Sequence, residues 1–380
     1  MSLTVAPVEG RRGARIFAEA GRTARRGDKL WSEPLSLEAA LIFNGAKSPF
    51  MRRNPHAYLV AFDEGRPVGR VFVADDRDHQ AIHPDGAAHF GFLDAADDPA
   101  IIPALMEAAA GWARQHGRTA LEGPYSPAIN HEIGLLTESD GRPATFKTND
   151  APPRYAAALR ALGFRTVQEL CAYEAEIAAS DYPERTEAVL ARWGGRNRLS
   201  IRPFNLLAFG KSVREENEVY ADAWADNWHA VPPPEDEARF IARFMLLSVP
   251  PRWLTMAAWD GVPIGVLHLI PDLNEAARGV AGHEWTGGLL RYSWRLHAGG
   301  VKRARIATFG VRRAFRGTRI GAMATATLVA DAVRKARRAG ISRLEVSWML
   351  TGNRAAIATV ERLPARRTKT WAMFRKEFRE

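Results

Sequence analysis

The chain has a single cysteine, Cys171, among 380 residues. One thiol excludes an intramolecular disulfide and a cysteine-rich zinc site, and it is the usage expected of a reducing compartment. Long apolar runs are lacking as well. Nothing approaches the roughly 20 continuous apolar residues of a membrane span. Arg11, Arg12 and Arg15 are not followed by the apolar stretch of a secretory signal. These absences predict a cytoplasmic protein without a membrane partner. No spacing of histidines and carboxylates suggests a metal site, and His268 and His283 read as ordinary polar residues.

The hydrophobic share of 46% and the charged share of 25% are those of a globular protein, and the length suits two domains. The formal net charge is +10, with arginines dispersed along the chain and concentrated between Arg303 and Arg343. Such a balance invites a polyanion, either nucleic acid or a nucleotide-containing cofactor. No base-reading motif or aromatic-basic platform accompanies it, so nucleic acid is not expected.

An internal repeat sets the organisation. Residues 58–73, YLVAFDEGRPVGRVFV, and residues 253–269, WLTMAAWDGVPIGVLHL, share an apolar run, an acidic-Gly turn, a Pro and a second apolar run. Gly65 matches Gly261, Pro67 matches Pro263 and Gly69 matches Gly265. Each segment predicts a β-hairpin. Further on, residues 99–117 and 320–340 read as helices stopped by Gly117 and Gly340, with Leu121-Glu122 and Leu344-Glu345 following. Short amphipathic helices at 154–164 and 354–363 close each copy, and strand-like segments at 165–177 and 368–378 follow them. The expected order in each copy is helix, three strands, helix, strand, helix, strand. Strands outnumber crossover helices, which predicts a mixed, mostly antiparallel sheet flanked by helices. The boundary falls between Ala179 and Asn197, giving domains at 1–180 and 181–380.

One segment of the second copy carries chemistry. The strand-like run at 305–311 contains Thr308, Phe309, Gly310 and Val311, and a turn follows it, Arg316-Gly317-Thr318-Arg319-Ile320-Gly321-Ala322, that opens the long helix. A helix start offers free backbone N–H groups and a partial positive charge, and small residues let an anion approach them. Arg312, Arg313, Arg316 and Arg319 add formal charge, although on pattern alone the segment reads equally as a basic surface turn. At the matching place the first copy has Asp94, Asp97 and Asp98 before Pro99. Asp98 with Pro99 is a good helix start. Its carboxylates would repel a pyrophosphate.

The order of elements and the run Val311 to Ala322 resemble the GNAT (Gcn5-related N-acetyltransferase) superfamily. The likeness is strongest in the second copy and extends through the repeat to nearly the whole chain. Segments such as EGRPVGR at 64–70, SPAINHEIGLL at 126–136, NWHAVP at 227–232 and EVSWMLTGN at 345–353 are similar to bacterial tandem-GNAT proteins of undefined substrate. The resemblance implies two tandem α/β (α+β) domains, of which only the second keeps the cofactor, acetyl-CoA or another acyl-CoA. It implies that the pantetheine arm runs beside 308–311 and that the phosphates lie at 316–322, with Asn353 touching the arm. Arg319 stands where the superfamily pattern has a small residue.

Transfer to an amine requires a neutral nitrogen and a polarised thioester. The strand before the loop carries no Asp or Glu, and no Tyr follows Asn353. Glu345 is the best candidate carboxylate, against a structural role suggested by its counterpart Glu122. Trp224, Asn227, Trp228 and His229 read as core aromatics or the wall of an acceptor pocket. His131 and Glu132 sit in a long loop at 123–153 and read as a brace between the domains. The leading expectation is an acyl-CoA-dependent N-acyltransferase acting on a small-molecule or peptide amine. A catalytically silent CoA-binding or regulatory protein is the alternative, and a basic nucleic-acid-binding protein the third.

Overall fold

Both hairpins close on the same backbone. Glu64 (φ 49°) and Gly65 (φ 80°) turn the first, and Asp260 (φ 48°) and Gly261 (φ 80°) turn the second. Two consecutive positive φ values form the two-residue turn whose twist matches the flanking strands, which is why an acidic residue followed by Gly recurs there. Each hairpin also carries a bulge at the same relative place, between Ala61 and Phe62 and between Ala257 and Ala258. The computed structural model describes residues 3–43, 48–280, 283–361 and 364–378. Residues 362 and 363 of the expected last helix lie outside them.

In chain order the first copy comprises β1 (Leu3–Val8), α1 (Gly10–Ala24), α2 (Ser36–Ile42), α3 (Pro49–Arg53), β2 (His56–Asp63), β3 (Arg66–Ala74), α4 (Arg77–Ile82) and β4 (Ala87–Ala95). It continues with α5 (Ile101–Gln115), β5 (Ala120–Gly123), β6 (Tyr125–Ser126), β7 (Glu132–Ile133), β8 (Leu135–Ser139), α6 (Pro153–Ala161) and β9 (Arg165–Glu176). The second comprises α7 (Tyr182–Ala191), β10 (Leu199–Pro203), α8 (Phe209–Trp224), α9 (Glu235–Leu246), β11 (Leu254–Trp259), β12 (Val262–Pro271), α10 (Leu273–Ala277) and α11 (Gly288–His297). It ends with β13 (Arg303–Val311), α12 (Arg319–Arg338), β14 (Arg343–Leu350), α13 (Arg354–Glu361) and β15 (Ala365–Glu377). Gly117 (φ 70°) and Gly340 (φ 75°) follow α5 and α12 in the left-handed region, as their positions predict. Helix α5 begins at Ile101, two residues later than the Asp98-Pro99 pair suggests. Asp98 Oδ1 accepts from the Ala100 N–H, so the aspartate shapes the turn before the helix.

A single mixed sheet joins the copies. Its strands run β1-β2-β3-β4-β5-β15-β9-β14-β13-β12-β11-β10, with β8 also on β15. Among the described residues only β4–β5 and β13–β14 pair in parallel. The final strands are exchanged: β15 lies between β5 and β9, and β9 lies between β15 and β14. Each copy's sheet is therefore continued by the other's last strand. Ala372 and Phe374 of β15 enter the core between the first copy's sheet and α5, whereas Ala175 of β9 joins the core under α12. On the opposite face, α1 and α2 cover β2 and β3 with Phe17, Phe43, Tyr58 and Phe72.

This exchange has a measurable consequence. Phe374 is wholly buried in the first copy's core, although it is only six residues from the end of the chain. Phe374→Ala should cost about 3–5 kcal/mol in urea unfolding, the range for a buried aromatic truncated to Ala. A cost below about 1 kcal/mol would mean that β15 does not complete that core.

Candidate active site

Strands β13 and β14 are neighbours for only four pairs, from Arg303↔Arg343 to Ile306↔Val346. Beyond that they part. Strand β13 has an extra residue at Ala307, because His268 faces Thr308 while Leu269 faces Ile306. The register of β14 against β9 slips between Val346 and Met349. A bulge bends the strand that carries it, and here both members of the pair bend. Residues 307–310 keep β12 on one side and are half-buried, with no strand on the other side among the described residues. The result is a cleft with one strand's backbone groups along its edge. Thr308 to Val311, the predicted cofactor strand, lie on that edge.

The turn into α12 follows at once. Gly317 has φ 71°, and Thr318 is the N-cap, its Oγ1 accepting from the Gly321 N–H at 3.1 Å. A Cβ on Gly321 would stand 2.0 Å from the Phe315 carbonyl oxygen, so only glycine permits this approach of turn and helix. With the Gly321 N–H taken by Thr318 Oγ1 and the Ala322 N–H by the Thr318 carbonyl, the N–H groups of Arg319 and Ile320 remain at the helix start without intrahelical partners.

The arginines are less available than their number suggests. Arg313 pairs with Asp222 and Asp226, Arg316 with Asp226 and the Ala223 carbonyl, and Arg312 with Glu218 and the Pro263 carbonyl. All three carboxylates belong to α8 or its exit. Arg319 is exposed. Asn353 acts as the cap of α13, with Oδ1 accepting from the Ala356 N–H at 3.1 Å.

Helix α8 covers the face of β12 and β13 opposite α12. Trp224, at its end, stacks on Tyr220 with ring centroids 4.5 Å apart and lies over Gly310, where a Cβ would come within 2.4 Å of the indole. Asn227 donates its N–H to the Trp224 carbonyl and leads to Trp228. Half-buried Trp228 joins Trp348, Leu350 and Val167 around an apolar cluster that includes Tyr125, Leu170 and Trp371. Of the predicted wall residues, Trp228 thus lies in the same cluster as Trp348 and Leu350 of the diverging part of β14.

Glu345 is enclosed, at 1% exposure. Its Oε1 accepts from Thr145 Oγ1 (2.6 Å) and Ser347 Oγ (2.5 Å), and Ser347 Oγ in turn accepts from Arg305 Nε at 2.8 Å. Its counterpart Glu122 is equally enclosed and accepts from Tyr125 OH at 2.7 Å and Arg375 Nη1 at 3.1 Å. Burial alone would raise the Glu122 carboxyl. The hydrogen bond and charge of His229, with help from His89 and Tyr125, outweigh it and bring it to about 2. His131 braces the two halves as predicted, 2.8 Å from Glu237 Oε1.

The group that sequence reasoning passed over is His268. It sits directly across from Thr308, and opposed residues of an antiparallel pair project to the same face. Its Nε2 is 3.5 Å from Glu216 Oε2 on α8. Neither Glu216 Oε1 nor His268 Nε2 has a hydrogen-bond partner among the described residues. The side chains are 21% exposed for His268 and 12% for Glu216, whereas Glu345 is enclosed, and His268 Nε2 and Glu216 Oε1 themselves are shut off from solvent. The signal for it is the strand register, which a single sequence does not print.

The first copy builds the same cleft and fills it. His89↔Glu122 corresponds to Arg305↔Glu345, the third rung of each parallel pair. Beyond that rung, Ser126 Oγ accepts from the Phe92 N–H at 3.0 Å. A Cβ on Gly91 would stand 1.6 Å from the Tyr125 carbonyl oxygen. The chain's own Tyr125-Ser126 segment occupies the room that is open beside 307–310.

Comparison with known proteins agrees with this geometry. Residues 216–363 match the Acetyltransferase (GNAT) family. A protein of Caulobacter vibrioides named "Bacterial ceramide synthase" is 29% identical over 375 residues, 98% of this chain and 97% of its own length. "Protein YghO" of Escherichia coli is 30% identical over 352 residues, 92% of this chain and 89% of its own. Among solved structures, a tandem GNAT protein from the clavulanic acid biosynthesis pathway superposes with a TM-score of 0.60 at 16% identity, covering 99% of this chain and 98% of that one, a likeness of fold alone. The similarity of both curated relatives from end to end, the family match over the second copy and the paired splayed sheets place this chain in the GNAT acetyltransferase family.

Proposed function

We propose that the chain is an acyl-CoA-dependent N-acyltransferase whose cofactor lies in the second domain, 181–380, while the first, 1–180, keeps the scaffold without a cofactor. The observation that carries this reading is the asymmetry of the two clefts, open beside 307–310 and filled by Tyr125-Ser126 in the first copy. The residues suited to the cofactor are the backbone of Thr308, Phe309, Gly310 and Val311 for the arm. Arg316, Gly317, Thr318, Arg319, Ile320, Gly321 and Ala322 suit the phosphates. Free N–H groups at Arg319 and Ile320 and the close approach at Gly321 fit an anion there. Acyl-CoA supplies the acyl group activated as a thioester.

The acceptor nitrogen attacks only when neutral, so an ammonium must first lose a proton. His268 is the group placed to accept it, one strand from Thr308 and held against Glu216. Glu345 serves as a positioning residue for Arg305 through Ser347. For the acceptor, the half-buried Trp228, Trp348, Leu350 and Val167 favour an apolar chain beside the amine. The name of the Caulobacter relative points the same way, since a ceramide is an N-acylated long-chain amino alcohol. The proposed substrates are therefore a long-chain amino alcohol and a fatty acyl-CoA. A CoA-binding protein without turnover is the second reading, favoured by the enclosure of Glu345, the best candidate carboxylate, at 1% exposure.

Thiol release from acetyl-CoA and palmitoyl-CoA, each with sphinganine and with a short amine, tests both readings. Turnover with the long-chain pair, at least about tenfold above the short pair and so about 1.4 kcal/mol of discrimination, is the expected result. Thermal stabilisation by CoA without turnover of any pair would support the second reading, and no stabilisation at millimolar CoA would remove both.

A further inference from the structure

Four segments distant in sequence bring histidines and carboxylates together at the junction of the two halves. His79 lies on α4, Asp85 precedes β4, and His229 follows α8. Glu122 and Tyr125 stand beside them, and Arg375 reaches in from the exchanged strand β15. One ligand atom from each of His79, Asp85 and His229 lies within 4.8 Å of the other two. His79 Nε2 is 3.3 Å from Asp85 Oδ2.

We propose that His79, Asp85 and His229 form a binding site for a divalent cation of the zinc class, fastening the entry of the second half to the first. Two imidazoles and one carboxylate are the donors such ions take, with a fourth position left for water. Donors around a tetrahedral zinc stand roughly 3.3–3.5 Å apart, given bonds of about 2.0–2.2 Å. A spread of up to 4.8 Å closes to that with small side-chain rotations.

Two further observations point to a ligand. The second shell is of the kind that orients metal-binding imidazoles. Glu122 Oε1 lies 3.1 Å from His229 Nδ1, so a proton there leaves the other ring nitrogen with its lone pair. Asp85 Oδ1 accepts from the Gln80 amide and the Ala87 N–H, which fixes the carboxylate. Lastly, His229 has φ 50°, a conformation that glycine adopts without strain and histidine does not. A side chain kept there at a conformational cost is one with a task.

The charges around the site are mixed. Arg375 Nη1 is 3.1 Å from both Asp85 Oδ2 and Glu122 Oε2, and it balances one of those two carboxylates. Asp76 contributes a further carboxylate 3.9 Å from His89 Nδ1. The balance leaves room for a cation. Cysteine plays no part, and the ligands come from residues 79, 85 and 229, which is why no spacing in the sequence announces them.

The strain at His229 supplies a variant that should still fold. Untagged full-length protein and His229→Gly are stripped with chelator, then titrated with Zn2+ in thermal melts and with Co2+ in visible absorption. The expected result is a rise in Tm of several degrees with Zn2+ and a tetrahedral Co2+ band in the native protein. His229→Gly relieves the backbone strain but takes from buried Glu122 its imidazole partner, so its metal-free Tm serves as its own baseline; it should show neither response, and Asp85→Asn should weaken both. Absence of both responses in the native protein, or their persistence in His229→Gly, would overturn the site.

Discussion

Replacing His268 with alanine should lower kcat/KM for the amine acceptor by about 10²–10⁴-fold, the usual contribution of a positioned proton acceptor. Acyl-CoA affinity should stay within about twofold, because His268 projects toward α8 and the cofactor edge of β13 is backbone. The size of the effect follows from a scarcity of alternatives. The strand that lines the cleft offers no carboxylate of its own, Glu345 is sealed from solvent, and Glu122 belongs to the filled cleft. Glu216→Gln should give a smaller loss, since it removes the charge that holds the imidazole and leaves the imidazole itself. Steady-state kinetics with varied acceptor, together with partial rescue of His268→Ala by added imidazole, check the assignment. A loss below about threefold would remove His268 from the reaction.

The parts of this protein that were legible in the sequence are those that local chemistry determines. An acidic residue followed by Gly, between alternating apolar runs, specifies the turn at Glu64-Gly65 and again at Asp260-Gly261, and the repeat follows from finding it twice. The helix start at Thr318 is local too, with a capping hydroxyl and a glycine three residues on. Pairings across the chain were not legible. The alternation of β15 satisfies any sheet edge of suitable polarity, so nothing in residues 365–377 tells that they lie against Gly123 and Glu122 of the first copy. Likewise the arginines at 312, 313 and 316 read as a bare cationic cluster until α8 brings Glu218, Asp222 and Asp226 to them. His268 acquires meaning only from the register that sets it opposite Thr308. Glu345 reads as the best carboxylate from its place on the strand after the long helix, and the pairing of that strand encloses it in a buried network with Thr145, Ser347 and Arg305.

That network supports the second large effect. Glu345→Ala should destabilise the protein by about 3–5 kcal/mol, the cost of leaving a buried charge without its compensating partner. Arg305 is 4% exposed, and burial pushes its guanidinium down to about 10 against the opposing charges of Glu345, Glu132 and Asp272. Its Nε donates to Ser347 and its Nη1 to the Phe146 and Lys147 carbonyls, so it cannot swing out to water without breaking all three contacts. Removing the Glu345 side chain also strands the hydroxyls of Thr145 and Ser347, each of which donates to Oε1. Glu345→Gln keeps an acceptor oxygen at that point while losing the charge, and it should fall between native and alanine. Urea unfolding of the two variants, with acceptor kinetics on whatever remains folded, separates the roles. A positioning residue gives stability losses in that order, with kcat reduced only as far as the cleft is disturbed. A full-strength loss of kcat in Glu345→Gln with unchanged stability would return Glu345 to the role of proton acceptor and displace His268 from it.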